Sequence, residues 1–224
     1  MSKRKFKKEI SRIVSSLDLR PIYFLIIFYT AIRWLPFGIF GWLQNEDGLL
    51  EWASVAALLT AGWTIGKILN RSKHNWATYT GWIILLILCL VFAGEEIAWG
   101  ERLHGIGIEA IRSVNTQQET TLHNIRGFQN RGLLNLGWSS LGLILGLSWM
   151  LRPNFQPLPA SRQCLYFLIP GIWYGIFHAC NHTEDCLITF ANHQEIYEFL
   201  VAVGLLAHTR YRWRQSSTDR SDKT

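Results

Sequence analysis

The chain has 224 residues, of which 49% are hydrophobic and only 17% charged, with eleven tryptophans; the length suits one domain. Its formal charge of +6 does not call for a nucleic-acid partner, because basic residues facing an anionic membrane leaflet account for it better. No phosphate loop, dinucleotide fingerprint, GxSxG, HExxH or CxxC spacing occurs, so those reaction classes have no motif to rest on.

The first element is the basic stretch "KRKFKKEISRIVSSLDLR", in which Phe6, Ile10, Ile13, Val14 and Leu17 share one helical face, as in a helix lying at the membrane surface. Residues 1–20 are therefore a basic amphipathic cytoplasmic segment. A basic start before an apolar run resembles a signal peptide, but the following run is too long and lacks a small-residue cleavage site, which makes it an uncleaved anchor.

Six apolar spans follow and form one transmembrane domain over residues 21–209. Three are free of charge: "WATYTGWIILLILCLVFAG" (76–94), "GLLNLGWSSLGLILGLSWML" (132–151) and "QCLYFLIPGIWYGIFHACNHT" (163–183). Each is long enough for a hydrocarbon layer of about 30 Å. The other three are interrupted: 21–43 by Arg33, 48–66 by Glu51, and 187–207 by His193, Glu195 and Glu198. An all-α, polytopic membrane bundle results, with an outer loop helix over about 102–130 and a basic polar cytoplasmic tail over 210–224. Six spans place both termini on one side, and 17 of the 22 Lys and Arg residues fall there. The positive-inside rule makes that side cytoplasmic and the location the cell membrane. Trp42, Trp52, Trp76, Trp82, Trp99 and Trp213 lie near span ends and fit an aromatic belt.

The acidic residues and histidines are biased the other way. Twelve of sixteen Asp and Glu, and five of seven histidines (His104, His123, His178, His182, His193), fall outside or near the outer end of a span. The positive-inside rule does not require this, so it points to a polar site at that end. His178 and His182 form an HxxxH pair, and Glu119 with His123 and Asp47 with Glu51 repeat the four-residue spacing, which brings two side chains of a helix close enough to share an ion. Each pair also has a plainer role: packing for the histidines, a solvated loop helix for Glu119 and His123, and helix-dipole stabilisation for Asp47 and Glu51. Arg33 and Glu198 sit near mid-span, where a lone charge costs about 3 kcal/mol, and pair structurally across spans one and six. Glu95 and Glu96 are adjacent carboxylates at a span exit, where they repel unless a cation, a proton or an arginine compensates. Cys180 and Cys186, which both face the exterior, suit a disulfide or two unpaired thiols, whereas Cys89 and Cys164 read as buried.

Together "EDGLLEW", "FAGEEIAWGERLHG" and "NTQQETTLHN" resemble a family of small polytopic bacterial membrane proteins, matched here at Glu95, Glu96, Trp99, Gly100, Arg102, Asn115, Gln117, Glu119, His123 and Asn124. The resemblance covers residues 46–124 and brings no reaction with it. The chain is more loosely similar to the alkaline ceramidases and progestin/adiponectin receptors, which hold zinc on an HxxxH of a late helix and one earlier histidine. That similarity implies His178, His182 and His123 as metal ligands, although those proteins have seven spans and a different context around the earlier histidine.

These readings combine into a metal-dependent membrane hydrolase acting on a lipid or lipid-linked substrate, with a divalent metal, zinc before iron. His123, His178 and His182 hold the metal, leaving a water position. Glu95, Glu96 and Glu119 supply carboxylates, with Glu119 or Glu95 as general base, and Arg102 binds an anionic group or orients a carboxylate. Asn115, Gln117, His193 and Glu195 are additional site candidates. Two other classes remain: a proton-coupled or ion transporter, and an accessory subunit whose charges only hold helices together.

Overall fold

A computed structural model describes residues 15–221 apart from 33, 35, 37–38, 40–41, 44–47, 72–74, 130–132, 153–154 and 181–192, and excludes the side chains of 32, 128–129 and 217–221. The described residues are helical, with no strand beyond one isolated bridge. The long helices are α1 (Arg20–Ile32), α2 (Leu49–Arg71) and α3 (Trp76–Glu96). Three single turns follow: α4 (Glu101–His104), α5 (Glu109–Arg112) and α6 (Arg126–Gln129). The remaining long helices are α7 (Leu133–Leu151), α8 (Leu165–Ala179) and α9 (Gln194–Ser221).

α2, α3 and α7 are long and apolar enough to cross a membrane, and α1 and α8 are shorter apolar helices. Many outward side chains are apolar, among them Tyr23, Ile26 and Ile27 on α1, Ile84, Ile87 and Leu90 on α3, and Ile144 and Met150 on α7. Exposed apolar faces on this scale are compatible with a membrane protein.

Contacts at the two ends set the helix directions. At one end Asp18 before α1 donates its N–H to Arg162 O before α8 (3.0 Å). There Arg71, late in α2, also lies 3.8 Å from the Trp213 ring of α9. At the other end Trp138, early in α7, stacks on Tyr174, late in α8, and the Tyr174 hydroxyl donates to Glu198, early in α9. Successive long helices therefore alternate in direction, while α2 and α9 run parallel. α9 continues as helix to Ser221, through residues expected to form a polar tail. Trp213, packed under Lys67 and Arg71 of α2, holds that extension to the bundle.

Between the ends the core is apolar: Leu58, Ala61 and Ile65 of α2, Leu85 and Cys89 of α3, Phe167 of α8 and Val201 and Leu205 of α9. Trp82 departs from the expected belt. It is fully buried and stacks on the buried His208 with ring centroids 5.8 Å apart, because α9 covers this face of α3. Cys89 and Cys164 are buried free thiols as expected. Cys180 is disulfide-bonded, and Cys186 lies outside the described residues.

α7 meets α8 along Ser139, Gly142 and Gly146. A Cβ on Gly142 would lie 2.6 Å from Gly171 Cα, and one on Gly146 would lie 2.6 Å from the Leu168 side chain. Ser139 Oγ donates to Gly171 O across this seam (2.8 Å). Small residues let helix backbones approach and pack where lipid leaves little hydrophobic drive between helices. Gly142→Ala should lower the thermal midpoint in detergent, costing about 1–3 kcal/mol by overpacking. Gly137→Ala, on the same helix with nothing within 4 Å of the new Cβ, should leave the midpoint unchanged or raise it, by up to about 1 kcal/mol from helix propensity. Equal midpoints for the two variants would contradict the close crossing.

Candidate functional site

The site begins where α3 ends. After Glu96, Ala98 (φ 46°), Trp99 (φ 54°) and Gly100 (φ 94°) all take left-handed backbone conformations, which cost a non-glycine residue about 1–2 kcal/mol each. The chain thereby doubles back and lays the Trp99 indole over Gly94, where a Cβ would sit 3.0 Å from the ring. Trp99 Nε1 donates to Glu95 Oε1, and Ala98 is fully buried. These contacts offset the strain and explain the glycines of "FAGEEIAWG".

Glu95 and Glu96, one residue apart on a helix, point about 100° apart and have different partners. Glu95 faces the loop after α5. Its Oε2 accepts the N–H groups of Leu122 (2.8 Å) and His123 (3.0 Å) and lies 3.0 Å from His123 Nδ1. With a carboxylate as acceptor, the His123 proton sits on Nδ1. Glu96 faces inward, where Glu96, Glu195 and Glu198 each bring a carboxylate oxygen within 4.8 Å of the others. Glu198 Oε1 accepts from Tyr174 Oη and from Gln194 Nε2 (2.9 Å). Glu51, buried at the start of α2, and Arg102 add the next charges around Glu96.

Arg102 joins two of the carboxylates. Its Nη1 donates to Glu51 Oε1 and its Nη2 to Glu119 Oε2 (3.2 Å), with the guanidinium side chain only 10% exposed. Glu119 arrives on a loop, and here the structure departs from the expected outer helix. Residues 113–125 form an irregular turn closed by the bridge Asn115↔Ile125 and by Thr116 N–H to Asn124 O (2.9 Å). Asn115 is fully buried, and its Nδ2 donates to Thr121 O (2.7 Å) and Oγ1 (2.8 Å) while its Oδ1 accepts Gln117 N–H (2.8 Å). Asn124 Nδ2 donates to Gln117 Oε1. Side-chain amides that bond nearby backbone favour turns over helix, which is why the helical spacing of Glu119 and His123 misleads. Glu101 ties the loop to α4: its Oε2 accepts Thr120 N–H (2.7 Å) and its Oε1 lies 3.4 Å from Arg112 Nε. The bonds from Thr120 hold the Glu101 carboxyl below the usual carboxylate range, with Arg112 and His104 adding to the effect.

The expected site is thus divided. Glu96, Glu195 and Glu198 converge, and Arg102 and Glu119 stand beside them. Glu95, His123, Asn115, Gln117 and Asn124 build the loop that presents Glu119. His178 lies half-buried in the last turn of α8, and neither it nor His123 belongs to the converging group found among the described residues. His193 packs edge-on against Tyr29 of α1, with ring centroids 5.4 Å apart. His182, Arg33 and Asp47 lie outside the described residues. Glu51, weighed in the sequence only together with Asp47, joins the site through Arg102, and Tyr174 and Gln194 join it without having been singled out. The three-residue step from Glu195 to Glu198, inside an otherwise apolar run, was the signal available for the inward face of α9.

Comparison of the chain with family models, curated proteins and solved structures returned no match.

Glu95→Gln removes the charge on which Leu122 and His123 N–H converge. A hydrogen bond to a charged group contributes about 2 kcal/mol, so hydrogen exchange over residues 120–124 should quicken roughly thirtyfold, while exchange in α7 stays unchanged. Acid should act in the same place through Glu101. Its folded pKa lies below its unfolded value, so the stabilisation is present above about pH 4.5 and is lost as pH falls through the lowered pKa. Loop protection that persists in Glu95→Gln would show that the carboxylate does not hold the loop.

Proposed function

We propose that this chain is a multi-pass cell-membrane protein of six spans, with both termini cytoplasmic, whose acidic centre binds a divalent cation and serves hydrolysis of a lipid or lipid-linked substrate at the outer face. The alternating direction of α1, α2, α3, α7, α8 and α9 supports the six-span topology, as does the gathering of Arg20, Lys67, Arg71, Arg162 and Arg214 at the end opposite the acidic centre. α1 and α8, shorter than a straight crossing requires, complete the bundle against longer neighbours.

The observation that carries the cation reading is the approach of three carboxylate oxygens within 4.8 Å. Two unit charges at that distance repel by about 3 kcal/mol at an effective dielectric constant of 20, and Arg102 is a single positive charge beside five carboxylates counting Glu51 and Glu119. A cation offsets this repulsion, and the donors are all oxygen. They therefore suit a hard ion such as magnesium, manganese or calcium better than the zinc expected from the histidines. Such an ion would supply an acidified water and charge stabilisation. The protein's own part is to orient and to accept protons. Tyr174 and Gln194 fix one oxygen of Glu198, Arg102 offers a guanidinium to an anionic substrate group, and Glu119 is the carboxylate reachable from the loop side as general base.

A proton-coupled centre is the second reading, favoured by the Tyr174, Glu198 and Gln194 hydrogen-bond chain, since protons relieve the same repulsion. The apolar core between Leu58 and Leu205 separates this centre from the basic end, which favours a one-sided site over a path through the bundle.

Elemental analysis of purified protein should find a divalent ion near stoichiometry, and Glu96→Gln and Glu198→Gln should each lose it. Adding manganese at a hundredfold excess over Kd should stabilise wild type by about 2.7 kcal/mol and leave Glu198→Gln unmoved. No bound metal together with no manganese response would hand the centre to the proton reading. Labelling of Glu109→Cys by an impermeant maleimide from the cytoplasmic side alone would overturn the topology.

A further inference from the structure

The segment from Trp99 to Ile108 has its polarity turned inside out. Trp99 is 45% exposed, Leu103 65%, Ile106 74% and Ile108 54%. Its charges point the other way: Glu101 bonds Thr120 and Arg112, and Arg102 bonds Glu51 and Glu119. A loop projecting into water would expose its charges and cover its isoleucines. This one begins three residues beyond the end of α3, whose Ile84, Ile87 and Leu90 form an outward apolar stripe at three-residue spacing. The left-handed turn at Ala98, Trp99 and Gly100 bends the chain away from the α3 axis instead of letting it rise into solvent. Ionic groups resume at the surface from Glu109, which is exposed.

We propose that Trp99–Ile108 is a lip seated in the interfacial layer of the outer leaflet, with Leu103, Ile106 and Ile108 in contact with lipid and Trp99 at headgroup level. Tryptophan is the residue suited to that depth, and short apolar projections flanked by polar groups bind such interfaces. The occupant of this face is lipid because the face continues that of an apolar helix and its charges are already paired inward. The lip rests on the membrane reading above and deepens it: Arg102, next to Leu103 on the same turn of backbone as Glu101, places the entrance to the acidic centre beside lipid headgroups.

Spin labels at Leu103→Cys, Ile106→Cys and Glu109→Cys, in the full chain reconstituted into phosphatidylcholine vesicles containing phosphatidylglycerol, test this. All three residues are exposed, so the substitutions leave the packing intact. Collision with oxygen, which concentrates in lipid, should exceed collision with a water-soluble nickel chelate at 103 and 106, giving a ratio severalfold above that at 109. A ratio at either lip position no higher than at 109 would overturn the proposal. So would low collision with both reagents, as burial against a second protein produces. Metal content of the same preparations is read independently. A wet lip with bound metal sinks the lip and spares the centre, and a lipid-seated lip without metal does the reverse.

Discussion

The guanidinium of Arg102, set among carboxylates, is the interaction on which the acidic end of the bundle depends. Breaking a largely buried ion pair by removing one partner costs about 3–5 kcal/mol, because it strands the other charge. Arg102 stands between Glu51 of α2 and Glu119 of the loop, so it fastens the end of the bundle to the loop above it. Glu51 in turn is buried at the first turn of α2, where the helix dipole already favours a negative charge. The pair is therefore held by the fold as well as holding it.

Around that pair the neighbouring carboxylates divide the work. Glu95 places its oxygens on Trp99, Leu122 and His123, which ties the loop to the end of α3. Glu96, one residue on, is turned toward Glu195 and Glu198. The helical angle between consecutive residues is enough to produce this split. Glu101 adds a third anchor at Thr120 and Arg112. The loop is thus a small folded cap, stitched by side chain to backbone bonds, beside the point where Glu96, Glu195 and Glu198 converge.

Length and charge pattern made the helices legible. The run from Trp76 and the run ending at Leu151 correspond to α3 and α7, because a charge-free stretch of that length admits little except an apolar helix. The run over 187–207 is helical from Gln194 onward, and the helix continues to Ser221, with Trp213 on it meeting Arg71, a contact far apart in sequence. The helical reading of the loop failed for a local reason. The side chains of Asn115 and Thr116 bond backbone groups within the loop, and periodicity carries no information about that.

The residues of the site were visible as an excess of carboxylates and histidines at one end of the chain's apolar runs, a distribution that needs no structure to count. Which of them meet was not. Glu198 takes bonds from Tyr174 and Gln194, His123 Nδ1 faces Glu95, and neither arrangement could be read from spacing. The sequence by itself determined that acidic charge would collect at one end of the apolar helices, because hydrophobic burial decides helix length and placement from local composition. Only the tertiary structure decided that Glu96, Glu195 and Glu198 converge, because that depends on the rotation of α3 and α9 about their axes, which is set by packing between helices.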